Sequence, residues 1–153
     1  ALSEGIKVVS GIIVQYPFYA GILAILSGSG LVVTLANWFV SISSAEPLPI
    51  SSFFAAGLIN LFVPSGGGQW VIQGPVMMEA AEQLGASIPA TALAVQIGDQ
   101  WTNMVQPFWL LPALAISGLK LKDFMGYMVM ILFFTGAVFL ATVTIWGILG
   151  AGA

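Results

Sequence analysis

The chain has 153 residues, 59% of them hydrophobic and only 6% charged. Soluble domains average about 25% charged residues, so three basic and six acidic side chains cannot solvate a 16.0 kDa globule of mean hydropathy +1.04. A soluble enzyme or binding module is excluded on that ground. The pI near 4.4 excludes the basic footprint of a nucleic-acid binder. The absence of cysteine and histidine removes disulfide frameworks, thiol nucleophiles, Cys/His zinc sites and histidine triads. What remains is an integral membrane protein.

Charges divide the chain into long uncharged runs, and a membrane helix needs roughly 20 mostly apolar residues. Residues 8–27 are long enough to cross, with Pro17 inside. Neighbouring membrane helices tolerate a proline that removes one backbone donor. The N-terminus has acidic Glu4 beside Lys7 and runs past the length of a signal peptide's apolar region. It starts without methionine, which points to a fragment or a processed chain. Ser27-Gly28-Ser29-Gly30 is a breaker. Residues 31–43 then rise about 20 Å as a helix, too short to cross, and with Trp38 they read as an interfacial arm. One long bent helix over 8–43 is the alternative.

Glu46-Pro47-Leu48-Pro49 forms a turn outside the hydrocarbon. Two half-length apolar segments, 50–63 and 70–84, flank Pro64-Ser65-Gly66-Gly67-Gly68-Gln69. Together, residues 50–84 describe a re-entrant hairpin, whose irregular tip at mid-depth must be enclosed by protein or a water-filled cavity. Two short crossings with an exposed loop are the alternative. Ser87 is an expected N-cap, with Pro89 in the first turn. Residues 88–117 form a crossing helix interrupted by the polar run Gln96 to Asn103, expected to be unwound at the midplane. Residues 124–149 are the last crossing. Three crossings plus a hairpin put Lys7, Lys120 and Lys122 on one side, which the positive-inside rule makes cytoplasmic.

Asp99 is the one ionisable group deep in an expected membrane segment. Its burial costs several kcal/mol unless it is paired or solvated, which marks a functional site. It suits a coupling proton or sodium ion; capping the broken helix is the structural alternative. The oxygens of Thr102 and Asn103 suit a hard cation and their donors a carboxylate, and a broken helix adds free carbonyls and N–H groups. At the tip, Ser65, the amides of Gly66, Gly67 and Gly68, and Gln69 can hold a carboxylate, because helix N-termini attract anions. Trp70 is expected to open the second half-helix. Trp70, Trp101, Phe108 and Trp109 can wall an apolar pocket or simply pack. No Lys or Arg lies at mid-depth, which favours a monoanion as ligand.

Asn60-Leu-Phe-Val-Pro-Ser-Gly-Gly-Gly-Gln-Trp70 and Gly98-Asp-Gln-Trp-Thr-Asn-Met-Val-Gln-Pro-Phe-Trp109 resemble the signatures of the short-chain fatty acid transporter family. Gly118-Leu-Lys-Leu-Lys-Asp-Phe-Met-Gly-Tyr127, Gln15-Tyr-Pro-Phe-Tyr-Ala-Gly21 and Trp38-Phe-Val-Ser-Ile-Ser43 fit as well. The resemblance implies a multi-pass carrier of the bacterial inner membrane for small monocarboxylates such as acetoacetate and butyrate. It further implies one inverted-repeat half of a secondary transporter of the wider ion-transporter superfamily, commonly a homodimer. By that analogy the Ser65–Gln69 tip contacts substrate and the Gly98–Asn103 break, with Gly98, Asp99 and Asn103, contacts the coupling ion. No other cofactor is implied. The N-terminal half of such a carrier is missing from this chain. A channel or pore subunit with the glycine tip as filter, a carrier for dicarboxylates or amino acids, and a non-transporting scaffold are the competing readings.

Overall fold

The computed structural model describes residues 2–150; the side chains of Glu4, Lys7 and Gln15 lie outside the described residues. The described chain is helical throughout. In order come α1 (Leu2–Gly28), α2 (Leu31–Ser41), α3 (Leu48–Asn60), α4 (Gly66–Leu84), α5 (Ile88–Thr102), a single 3-10 turn (Asn103–Val105), α6 (Pro107–Ser117) and α7 (Leu121–Gly150).

α1 passes through Pro17 without a break. It stops where Gly30 takes φ +71°, a left-handed conformation that glycine adopts at no steric cost. There the chain turns by 56° into α2. The two helices are thus joined by a sharp bend, and as a bent pair they are long and apolar enough for one span. The segment expected as an interfacial arm, α2, packs lengthwise along the next two helices. Val32 clusters with Ile59 and Val63, Ala36 with Ala55, Ala56 and Met77, and Val40 packs on Leu48, Ala80 and Ala81. As the α2 numbers rise, the α3 numbers fall and the α4 numbers rise, so α2 is antiparallel to α3 and parallel to α4.

α3 and α4 form an antiparallel helical pair. Its loop is shorter than the sequence implied. The second helix starts at Gly66, not Trp70, because Ser65 is an N-cap whose hydroxyl accepts from the Gly68 amide at 3.2 Å. A capped start lets three glycines stand in the first helical turn, where poor helix propensity matters least.

α5 begins as expected, with Ser87 accepting from the Ala90 amide at 3.4 Å and Pro89 in the first turn. It then runs parallel to α3 in close contact. A Cβ at Gly98 would lie 2.2 Å from the Phe53 carbonyl oxygen, and one at Gly57 would lie 3.1 Å from the Trp101 ring. Small residues allow such backbone approach between membrane helices. The interruption comes later than the sequence suggested. Gln96 to Thr102 are still α-helical, and the break is Asn103–Val105 plus Gln106, just before Pro107. Proline cannot donate to the preceding turn, so it, rather than the polar run, sets the break.

α7 returns antiparallel to α5. Trp101 fastens the pair: its indole N–H donates to the Leu132 carbonyl at 2.8 Å, its ring stacks on Phe53 at 4.8 Å, and it sits on Gly136, where a Cβ would meet it at 2.8 Å. Asp123 accepts from the Lys120 amide and so satisfies a free donor at the start of α7. Among the described residues, Leu121–Gly147 is long and apolar enough to cross a membrane alone, and the bent pair Tyr16–Gly28 with Leu31–Ser41 passes the same test jointly. Met130, Phe133, Phe134 and Leu149 on α7 are each about two-thirds or more exposed. Such an apolar face demands lipid or protein around it.

Candidate functional site

Four helix ends meet around the hairpin tip. α3 and α5, being parallel, finish side by side at Asn60 and Thr102. α4 starts six residues after Asn60, and α6 starts at Pro107 beyond the break. Two carboxyl ends, with their partial negative charge, thus stand near two amino ends, with their partial positive charge.

Asn60 joins the two carboxyl ends. It is completely buried. Its amide nitrogen donates to the Asp99 carbonyl at 2.7 Å and lies 2.9 Å from both Thr102 Oγ1 and Asn103 Oδ1. The Thr102 hydroxyl in turn donates to the Gly57 carbonyl at 2.9 Å. Gln106 Nε2 donates to the Asn60 carbonyl. The polar groups of the break are therefore fixed by a network spanning α3, α5 and the 3-10 turn.

Three oxygens in that network have no protein partner although they are buried: Asn60 Oδ1, Asp99 Oδ1 and Gln106 Oε1. Buried polar atoms are nearly always satisfied, so these three are open to a further partner. All three are oxygens, as a hard cation prefers. Among the described residues no group of three acidic side chains could hold a metal ion. Any cation here would rest on one carboxylate and neutral oxygens.

The Asp99 side chain reaches the tip. A Cβ at Gly66 would lie 3.1 Å from Asp99 Oδ2. Beside this contact, a cleft of about 610 Å³ runs between α4 and α5. Gly66, Gly67, Gln69, Trp70, Gln96 and Asp99 are among its walls. Gln69 is held by Ala56 O at 2.9 Å and Gln73 Oε1 at 2.8 Å; its own Oε1 has no partner. A second cavity, about 260 Å³, lies on the other side of the tip. Ser65 and Gly66 form one wall, Tyr16, Tyr19, Ala20 and Leu23 another, and Phe108 and Trp109 a third.

Of the residues singled out in the sequence, the structure brings Gly66, Gly67, Gln69, Trp70 and Asp99 into one cleft and Ser65 with Gly66 into the other cavity. Gly68 packs towards Leu23, where a Cβ would meet it at 3.0 Å. Thr102 and Asn103 belong to the Asn60 network, Gly98 to the α3–α5 contact. Trp101 lines neither cavity. Asn60, Gln73 and Gln106 were not singled out as site residues, nor was the wall of α1. Buried amides in an otherwise uncharged run were the signal available for the first three.

A bundle of apolar helices with exposed apolar faces, a capped glycine tip and an interrupted helix is consistent with a membrane protein. The chain matches the family model described as "Short chain fatty acid transporter" over residues 1–146, and it belongs to that family. It is 45% identical over 146 residues to an Escherichia coli protein named "Putative short-chain fatty acid transporter", and 43% identical over 140 residues to a Haemophilus influenzae protein of the same name. These alignments cover 95% and 92% of this chain but 33% and 31% of the relatives. The chain thus spans about a third of the length of the curated relatives it matches. No solved structure matches it. The family is one of transporters, not of enzymes, and with the exposed apolar helices it marks a membrane protein.

Proposed function

We propose that the chain is part of a multi-pass secondary carrier that moves short-chain monocarboxylates, such as acetoacetate or butyrate, across a bacterial inner membrane. α3 and α4 act as a re-entrant hairpin and α5–α6 as a broken crossing helix. The carrier is completed by the remaining length seen in the relatives, and two copies pair as a homodimer. Uptake is symport with a proton or a sodium ion.

The observation that carries this reading is the contact between the Gly66 tip and the Asp99 carboxylate. A cation taken up at Asp99, Asn60 and Gln106 neutralises the carboxylate that faces the tip. Only then is a substrate anion free of repulsion when it approaches the amides of Gly66 and Gly67, which start a helix and have no partner within it. Cation first, anion second, is the order that couples the two fluxes. Gly98 and Asn103 hold the cation site in shape, one through the α3 contact and the other through Asn60. A carboxylate that no Lys or Arg approaches must be held by amide dipoles, which suits a single negative charge.

Uptake of labelled butyrate into proteoliposomes by the full natural protein tests the reading. Asp99→Asn keeps size and polarity but removes the charge. It is expected to abolish dependence on an imposed proton or sodium gradient. Gradient-driven uptake equal to wild type overturns Asp99 as the coupling residue. Butyrate flux at channel-like rates, indifferent to any gradient, overturns the carrier reading in favour of a pore.

A further inference from the structure

The cavity on the far side of the tip differs from the cleft that holds Asp99. No charged side chain lines it among the described residues. Its aromatic walls are locked together: Phe108 meets Tyr19 edge-on at 4.7 Å and Tyr16 at 5.6 Å, and Trp109 packs on Phe108 at 5.1 Å. Phe108 is buried, so this wall is preformed. Ser65 and Gly66 close one end of the cavity, which puts the polar start of α4 at the foot of an apolar slot. The volume of about 260 Å³ equals on the order of nine water volumes. That admits a short acid.

We propose that this cavity is the alkyl-chain pocket, with Tyr16, Tyr19 and Ala20 of α1 and Phe108 of α6 setting the chain length of the acid carried. The inference rests on the monocarboxylate reading given above. The carboxylate sits at Ser65 and the glycine amides, and its tail points away from Asp99 into the slot. Gly66 is common to both compartments, so the anion head and the cation-binding carboxylate face each other across one backbone position without a side chain between them. The apolar tail leaves water for an aromatic surface. Each methylene that fits or fails to fit is worth about tenfold or more in discrimination.

The test is a chain-length profile in the full natural protein. Acetate, butyrate and hexanoate compete against labelled butyrate in proteoliposomes. Ala20→Leu adds bulk to the slot and is expected to shift preference towards acetate by about tenfold. Tyr19→Ala enlarges it and is expected to shift preference towards hexanoate. Opposite shifts in the two variants support the pocket. Unchanged profiles in both, with uptake retained, overturn it. If either variant does not insert, Tyr16→Leu replaces it: this exposed lining residue becomes smaller, so a shift towards hexanoate supports the pocket and an unchanged profile overturns it. Wild-type protein that neither binds nor carries any of the three acids defeats the monocarboxylate reading itself, a result distinct from an unchanged profile.

Discussion

Asp99 and Gly66 face each other at a distance that a side chain at residue 66 would crowd. A methyl group at Gly66 would stand 3.1 Å from Asp99 Oδ2, an apolar atom pressed on a carboxylate oxygen. Gly66→Ala is therefore expected to weaken binding of cation and carboxylate together. Isothermal titration of purified protein with butyrate, with and without sodium, reads both effects. Equal affinities in Gly66→Ala and wild type contradict the contact's role.

Gly67 is the matched comparison. Nothing lies within 4 Å of a Cβ placed there, yet it lines the cleft. Gly67→Val should fold and insert with a thermal midpoint close to wild type, because it meets no neighbour. It should nonetheless bind butyrate more weakly by about tenfold or more, the range for bulk added at a shaped site. Normal binding by a well-folded Gly67→Val protein removes the tip from the site.

Gly98→Ala should act on stability instead. Its Cβ would lie 2.2 Å from the Phe53 carbonyl oxygen and 2.9 Å from the carbonyl carbon. α3 and α5 must part to admit it, at a cost of about 1–3 kcal/mol. A drop in Tm in detergent checks this, and a Tm equal to that of wild type refutes the close approach.

Asn60→Leu removes the donor shared by the Asp99 carbonyl, Thr102 and Asn103. Leaving those acceptors unsatisfied costs about 1–3 kcal/mol. The same change deletes one of the three unpartnered oxygens, so sodium or proton dependence of uptake should fall in whatever fraction folds. Asn60→Asp restores an oxygen at the position and is the variant expected to recover part of the cation response.

Trp101→Phe tests the fastening of α5 to α7. It keeps a ring for Phe53 but loses the N–H that the Leu132 carbonyl accepts. The expected loss is about 0.5–1.5 kcal/mol of stability, read as Tm, with the chain-length profile unchanged.

Much of this was legible along the chain because it is local. The uncharged runs fix which segments are apolar helices. Ser87 before Pro89 announces the start of α5, and the Pro-Ser-Gly-Gly-Gly-Gln run announces a tip. The break was read several residues too early. A polar run looks like an interruption, but Gln96 to Thr102 keep their helical hydrogen bonds while their side chains find partners elsewhere, and a proline after Gln106 ends the turn. Trp70 was read as the opening of α4 because the cap at Ser65 acts three residues ahead, on a backbone amide that leaves no mark in composition.

By itself, then, the sequence determined that this is a helical membrane protein, where its helices lie, and that a lone mid-segment carboxylate and a glycine tip are its unusual features. Those follow from hydropathy, caps and charge placement, all functions of near neighbours in the chain. Only the tertiary structure decided that Asp99 meets Gly66, that Asn60 donates to the Asp99 carbonyl and accepts from Gln106, and that Tyr16 and Tyr19 pack on Phe108. These pairings join residues 33 to 92 positions apart. They exist because parallel α3 and α5 approach closely enough at Gly57 and Gly98 to end side by side, and packing between distant helices is not encoded in any one window of sequence.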